Sequence, residues 1–202
     1  MGVVVEKPFN SSNPKIIDYA NSNLRTDFMD IYLGAKCSFC ISTGLGFEDL
    51  PCLFGKPLVQ LILPLGNAYT HNEKYLIMTK HHILKKEKRK LSLSEIFSCG
   101  AAYVFDTKDF EQKGIEVVDN TPDEIRDIVI EMVKNLEFKK KLSSEDEELQ
   151  KTFRDLYVSN VKRVSSHEKV KDIFKEQKNK FHGQIRSRFS TKFLRENRNW
   201  LK

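Results

Sequence analysis

The sequence lacks long hydrophobic runs and a disulfide framework. In its 202 residues the longest apolar stretch, residues 57–65, is far shorter than the roughly 20 residues that a membrane-spanning helix requires. Glu6 and Lys7 interrupt the apolar start of the chain at once, so a secretory signal is not predicted. Four cysteines in a chain of this size and class do not indicate a disulfide framework. These absences predict a soluble protein of the cytoplasm.

The sequence also lacks the common cofactor and metal motifs. Its nine glycines do not form the three-glycine dinucleotide fingerprint, no Lys-Ser/Thr pair completes a Walker loop, and no Asp-x-Asp motif is present. Cys37 and Cys40 have no second cysteine pair or histidine nearby in sequence, and the adjacent His81 and His82 diverge in any regular element. Buried thiols are therefore favoured over redox or zinc chemistry, and neither a metal nor another cofactor is predicted.

One segment, residues 37–57, has the clearest pattern for ligand binding. Residues 38–41 have the apolar character of a strand, and small polar residues suited to a helix N-cap follow, with glycines that let the backbone bend. Backbone N–H groups in such a loop, helped by the dipole of the next helix, point toward an anion. An ordinary strand-to-helix turn is the alternative. The predicted phosphate cradle consists of Ser42, Thr43, Gly44, Leu45 and Gly46.

Four further residues are candidates for contacts with the same ligand. Glu48 lies in the first turn of the helix after the loop, where it stabilises the helix dipole or, by analogy with nucleotide-binding folds, binds a ribose diol. Asn67 and His71 follow the apolar strand that ends near residue 65, and we expect them at the same edge of the sheet. A plain surface turn is the alternative for these two. Lys80 is a cation suited to neutralising a diphosphate.

Strand and helix signals alternate between residues 16 and 136. The strongest is the helix start from Thr121 to Glu124, which combines an N-cap, a proline at the first helical position and a capping-box glutamate. Such alternation predicts an α/β fold with a three-layer, Rossmann-like parallel sheet, which binds ligands beyond the carboxyl ends of its strands. The predicted domain covers residues 1–158, and residues 159–202 form a basic helical C-terminal extension.

Positive charge is concentrated near the C-terminus. Residues 161–202 contain 13 basic and 4 acidic side chains, whereas residues 1–160 contain 21 basic and 24 acidic ones. Phe189, Phe193 and Trp200 have helical spacing, which favours helices that pack on the domain and leave a basic face in solvent. Peripheral contact with a partner or with the anionic inner membrane is the alternative. Nucleic-acid binding is not predicted, because the charge lacks interleaved aromatic residues and a recognised motif.

Two segments, Ile41-Ser-Thr-Gly44-Leu45 and Phe54-Gly-Lys-Pro57, resemble parts of bacterial GT-B-type glycosyltransferases, in their C-terminal, donor-binding half. That family has a Gly-x-x-Ser-Gly-Leu loop before a short helix and a Phe-x-x-Pro turn. Here Thr43 stands where serine is usual, and Ile41 where the first glycine is usual. The resemblance extends over residues 10–158. Its other parts are residues 17–20, 27–33, 62–65, 89–96 and 114–121, together with Lys80.

The resemblance implies a domain that holds a nucleotide sugar through the residues named above, with no metal. A complete enzyme of this type transfers the sugar to a surface polysaccharide or glycoconjugate acceptor. It needs an acceptor-binding domain, which another chain would supply here, and a general base for which the sequence offers no candidate. Activity of the chain by itself is therefore left open. The alternative is a non-catalytic interaction module whose basic tail binds a partner or anionic membrane.

Overall fold

A parallel sheet forms the centre of the protein. The computed structural model describes residues 7–44, 46–138, 141–166 and 185–202. Four strands, each parallel to its neighbour, pair in the order β1 (Cys40–Ser42), β2 (Leu58–Ile62), β3 (Tyr75–Thr79) and β7 (Arg188–Phe189). The two inner strands are apolar and almost entirely buried, as is typical of parallel sheets. The prediction of an α/β fold with a parallel sheet is confirmed, and the arrangement is compatible with a Rossmann-like fold.

A second, antiparallel sheet continues directly from the first. Only Lys80 separates β3 from β4 (His81–Leu84), which pairs with β5 (Arg89–Lys90) on one side and with β6 (Ile115–Val118) on the other. The alternation of strand and helix signals predicted a parallel sheet and did not indicate this antiparallel one. Side-chain alternation is the same in both kinds of sheet, so it does not reveal strand direction.

Seven α-helices lie in the described part of the chain. They are α1 (Asp27–Lys36), α2 (Asp49–Leu53), α3 (Leu93–Ser98), α4 (Thr107–Gln112), α5 (Pro122–Phe138), α6 (Ser144–Ser166) and α7 (Thr191–Glu196). Short 3-10 turns occur at Tyr19–Asn21, Leu65–Asn67, Ala101–Tyr103 and Arg198–Trp200. None of the described helices is both long enough and apolar enough to cross a membrane.

The strongest helix start in the sequence is confirmed in the structure. Glu124 Oε2 accepts a hydrogen bond from the N–H of Thr121 at 2.8 Å, and Thr121 Oγ1 accepts one from the N–H of Glu124 at 3.2 Å. Ser92 and Glu95 form an equivalent capping box at α3. Each box satisfies N–H groups that the first turn of a helix otherwise leaves without a partner.

An aromatic cluster joins the C-terminal segment to the sheet. The Phe189 ring of β7 lies 4.9 Å from Phe153 of α6 and 4.9 Å from Trp200, measured between ring centroids. Phe193 of α7 packs 5.2 Å from Phe189. All four side chains are buried, so this cluster is a main part of the hydrophobic core.

Residues 185–202, which the sequence analysis assigned to an extension, thus belong to the core of the domain. They supply the fourth strand of the sheet, and the boundary predicted at residue 158 falls inside α6. Three of their six basic side chains form ion pairs with the same domain: Arg195 with Asp146, Lys192 with Asp127 and Arg198 with Glu145. The rest of the predicted extension, residues 167–184, lies outside the described residues.

Candidate functional site

The loop after β1 is closed around a buried carboxylate. Glu48 Oε2 accepts hydrogen bonds from the Ser42 hydroxyl at 2.8 Å and from the N–H of Gly46 at 2.9 Å. The Ser42 oxygen in turn accepts a bond from the N–H of Gly44 at 3.1 Å. Glu48 is only 2% exposed. The carboxylate therefore occupies the concave side of the loop, where the sequence predicted an external anion.

This arrangement changes the roles of two predicted contacts. Glu48 precedes α2 as its N-cap residue and is too deeply buried to reach a ribose from solvent. The N–H of Gly46, expected to bind phosphate, is already bonded to Glu48. Charge-assisted hydrogen bonds of this kind are among the stronger ones in proteins. Glu48 consequently fixes the shape of the loop, and ligand contacts must come from groups that project outward.

The glycines of the loop are required by its backbone geometry. Gly44 and Gly46 have positive φ angles of 86° and 94°, which L side chains rarely adopt. A Cβ on Gly44 would lie 2.6 Å from Cδ1 of Ile62 in β2. The structure thus supports the expectation that these positions need glycine. Leu45, the remaining predicted cradle residue between them, lies outside the described residues.

Three predicted residues follow three neighbouring parallel strands at the same edge of the sheet. Thr43 comes directly after β1 and is exposed, Asn67 ends the 3-10 turn after β2, and Lys80 comes directly after β3. β1 and β3 are two strand spacings apart, about 10 Å. Lys80 Nζ lies 2.6 Å from Asp119 Oδ1, and the Asp119 side chain is 81% exposed. The carboxyl edge of the sheet therefore presents a hydroxyl, an amide and a cation.

His71 lies elsewhere. Its ring is 5.2 Å from that of Tyr75, the first residue of β3, so it lies near the amino end of that strand. Before it, the N–H of Tyr69 donates to Oε1 of Gln60 in the middle of β2, at 2.8 Å. The connection between β2 and β3 thus returns across the face of the sheet. A parallel crossover must bring the chain back to the amino end, which is why His71 is separated from Thr43 and Lys80.

A cavity of about 330 Å³ adjoins the loop, and sequence reasoning missed it. It is lined by parts of α1, β1 and α2 and by the segments between them. Cys37 and Cys40 both line it: Cys37 caps α1, and Cys40 begins β1. Burial raises the pKa of the Cys40 thiol to about 11, helped by the neighbouring Cys37 and Cys52. A raised pKa keeps the thiol protonated and weakly nucleophilic.

A histidine and carboxylate pair lies beside the end of β3. His81 Nε2 is 2.8 Å from Glu124 Oε1, and the imidazole stacks on Phe193 with 5.6 Å between ring centroids. Burial alone would raise the pKa of Glu124, but the N–H of Thr121 and the His81 ring bring it below its usual value. The neighbouring His82 is buried, and burial lowers its pKa to about 4 despite a contact with the Lys80 carbonyl. Both histidines are thus used within the fold.

Among the residues that the structure describes, no group of three or more His, Cys, Asp or Glu side chains is placed to hold a metal ion. No family model, curated protein or solved structure matches the chain. Only the site itself therefore bears on the function of the chain.

Proposed function

We propose that this chain is the nucleotide-sugar-binding half of a glycosyltransferase that acts on a surface polysaccharide or glycoconjugate in the cytoplasm or at the inner membrane surface. The observation that carries the proposal is the placement of Thr43, Asn67 and Lys80 after three adjacent parallel strands. In open α/β sheets, ligands bind in the crevice beyond these carboxyl ends. No metal is part of the proposal.

The chemistry of these side chains suits a nucleoside diphosphate. Glycosyl transfer needs groups that hold the diphosphate and stabilise its charge as it leaves. The Thr43 hydroxyl can donate to a phosphate oxygen, and the Lys80 ammonium can neutralise the leaving group. The ion pair between Lys80 and Asp119 is largely exposed, so exchanging this partner for a phosphate costs little. Glu48, bonded inside the loop, then holds Thr43 in place.

The acceptor side of the reaction is assigned to a second domain on another chain. α1 has an outward apolar stripe in which Phe28, Ile31 and Tyr32 are 71%, 48% and 45% exposed. Among the described strands β1 lies at the edge of its sheet, and Ile41 in it is 49% exposed. Exposed apolar surfaces of this kind mark contact sites in proteins. The second domain would bring the acceptor and the general base.

The proposal is tested by thermal unfolding of the purified chain with UDP, GDP, ADP and CMP. At a concentration of about 100 times Kd, a ligand stabilises the folded state by roughly 2.7 kcal/mol. For a chain of this length that corresponds to a rise in Tm of roughly 5–10 °C. We expect one nucleotide to give this rise. No rise with any of the four would contradict the proposal.

Two substitutions at Lys80 and Thr43 locate the site. Lys80→Ala removes a charged partner of phosphate and should weaken nucleotide affinity by about tenfold or more. Thr43→Val removes the hydroxyl while keeping the shape of the side chain. Lys86→Ala is the matched control, because it removes the same charge from an exposed lysine in the turn between β4 and β5. Gly44 is unsuitable for this test, since a side chain there would disturb the loop itself.

A second candidate function is the non-catalytic interaction module. The observation in its favour is the exposed stripe on α1, which a protein partner would cover. The basic residues of the described tail favour it less, because Lys192 and Arg195 already bind carboxylates of the same domain. Nucleotide binding that depends on Lys80 would favour the nucleotide-sugar-binding half over the interaction module.

A further inference from the structure

A hairpin of the antiparallel sheet concentrates positive charge. It consists of β4, a turn at residues 85–88 and β5. Residues 85–90 contain five basic side chains and one acidic one, and all six residues are exposed. Like charges so close together repel one another, so the fold gains nothing from gathering them in one turn. Such a group suits contact with an anionic surface.

The backbone of Lys88 gives independent support for a role of this charge. Its φ angle is 50°, the only positive value at a residue other than glycine in the described part of the chain. The left-handed conformation is unfavourable for a residue with a Cβ, and glycine or asparagine is usual there. Outliers of this kind are concentrated at functional positions. A lysine at this place in the turn therefore indicates that its charge acts outside the fold.

Arg89 holds the hairpin in a fixed direction. Its guanidinium donates to both carboxylate oxygens of Glu95 in α3, at 2.9 and 2.7 Å, and to Glu87 within the turn at 2.6 Å. These bonds, with that from the N–H of Ser92, lower the pKa of Glu95 to about 2, so the pair stays charged at neutral pH. The basic side chains that remain for contact with a partner are the four lysines of the hairpin, Lys85, Lys86, Lys88 and Lys90.

Neighbouring elements only partly offset this charge. The N–H of Lys85 bonds at 2.9 Å to the carbonyl of the residue that follows Lys113, so the exposed Lys113 adds a positive charge beside the turn. Glu116 of β6 lies across β4 from Lys90, because both pair with the same β4 residue. That separation is two strand spacings, about 10 Å, or one Debye length. With Glu95 included, this surface has six basic and three acidic side chains.

We propose that this basic hairpin docks the protein on the surface of a bilayer rich in anionic phospholipids. Cytoplasmic leaflets have a negative surface potential, which attracts clusters of four to eight basic residues. The inference rests on the proposed function only for the choice of the membrane as partner. Because Lys80 alone separates β3 from β4, the turn begins within about 20 Å of Lys80 along the extended chain. Docking would therefore hold the proposed donor site close to the membrane surface.

A bilayer fits this hairpin better than a nucleic acid does. Proteins that bind single strands combine basic grooves with aromatic side chains on which the bases stack. Residues 85–90 contain no aromatic side chain, and they form an exposed turn instead of a groove. An exposed turn contacts a flat layer of headgroups with several lysines at once. The anionic partner is therefore assigned to phospholipid.

The test is sedimentation of the purified chain with vesicles of two compositions. One contains equal parts of phosphatidylglycerol and phosphatidylcholine, and the other contains phosphatidylcholine alone. We expect binding to the anionic vesicles at about 50 mM salt, and at least about tenfold weaker binding at about 500 mM salt. Binding to the neutral vesicles should be absent. Equal binding to both compositions, or none to the anionic vesicles, would overturn the proposal.

A triple substitution in the hairpin locates the contact. Replacing Lys85, Lys86 and Lys88 together by alanine should weaken vesicle binding by about 100-fold, because each basic residue near the surface contributes about fivefold. The matched control should bind almost like the natural chain. It removes the same charge from exposed positions of α1, α5 and α6 through Lys36→Ala, Lys134→Ala and Lys151→Ala. Equal losses in the two triple variants would mean that total charge, and not the hairpin, determines binding.

A single substitution separates charge from structure. Lys88→Gly should weaken vesicle binding by about fivefold. Its Tm should stay the same or rise, because glycine accepts the left-handed conformation. Unchanged vesicle binding by Lys88→Gly would contradict a role for this lysine. Binding of a single-stranded oligonucleotide that depends on the hairpin and is tighter than vesicle binding would overturn the proposal in favour of nucleic acid.

Two further measurements keep this proposal distinct from the nucleotide site. The triple hairpin variant should bind its nucleotide as tightly as the natural chain, and Lys80→Ala should bind vesicles almost unchanged. Absence of vesicle binding would therefore leave the nucleotide site standing. Absence of nucleotide binding would leave the docking surface standing.

Discussion

Gln150 closes one edge of the parallel sheet by bonding to both main-chain groups of Phe189. Its Nε2 donates to the Phe189 carbonyl at 2.7 Å, and its Oε1 accepts from the Phe189 N–H at 3.0 Å. Both residues are fully buried. A side chain of α6 thus takes the place of a neighbouring strand. It satisfies main-chain groups at a sheet edge that could otherwise pair with another chain.

Loss of this amide should destabilise the protein strongly. Gln150→Leu keeps the bulk of the side chain but leaves a buried N–H and a buried C=O without partners, each costing about 1–3 kcal/mol. We therefore expect the free energy of unfolding to fall by about 2–6 kcal/mol. Denaturant unfolding measures the change, and Lys151→Ala, at an exposed position of the same helix, should have almost no effect. Equal stability of the two variants would contradict the structural role of Gln150.

Glu48 should be required for the order of the loop. Glu48→Ala removes the acceptor for Ser42 and Gly46 and should cost about 1–3 kcal/mol of stability. Amide hydrogen exchange should rise between residues 43 and 48, because the loop loses its internal bonds. Glu73→Ala removes the same charge from an exposed position and is the control. Unchanged exchange in the loop would show that Glu48 does not hold it.

The sequence predicted those elements whose determinants are local. The start of α5 was predicted because Thr121 and Glu124 are three residues apart and bind each other. The turns at Gly44 and Gly46 were indicated because positive φ angles select glycine wherever they occur. In such cases the residues that cause the structure are neighbours in the chain.

The remaining features depend on contacts that are distant in sequence. β7 is a short strand whose place beside β3 is fixed by Gln150 and by the aromatic cluster between α6 and the C-terminal segment. The return of Glu48 into the loop requires the helix to begin at a particular residue, and the position of His71 depends on the path of a crossover. Local periodicity contains no information about these long-range contacts. The candidate site was therefore only partly predictable.

The protein should lose stability as the pH falls below the ordinary pKa of a histidine side chain. Burial lowers the pKa of His82 from 6.5 to about 4 in the folded state. The unfolded chain therefore binds more protons between these values, so the stabilisation is complete above pH 6.5 and is lost as the pH falls toward about 4. The linked change is about 3 kcal/mol.

The test compares denaturant unfolding of two histidine variants between neutral pH and pH near 4. His82→Leu should flatten the dependence of stability on pH in this range, because the variant has no buried imidazole to protonate. His71→Leu, at an exposed position, should keep the slope of the natural chain. A slope that survives in His82→Leu would assign the effect to another group.

Arg195 should matter much more for stability than its neighbour Arg198. The Arg195 guanidinium makes two hydrogen bonds, of 2.6 and 2.5 Å, to the carboxylate of Asp146, which is 3% exposed. Arg195→Ala leaves that buried carboxylate with the hydrogen bond from the Ser143 hydroxyl, and should cost about 2–3 kcal/mol. Arg198 binds Glu145 at the surface, where exposed pairs contribute about 0–1 kcal/mol. Denaturant unfolding of the two alanine variants provides the comparison. Equal losses would mean that burial of Asp146 does not set the strength of its pair.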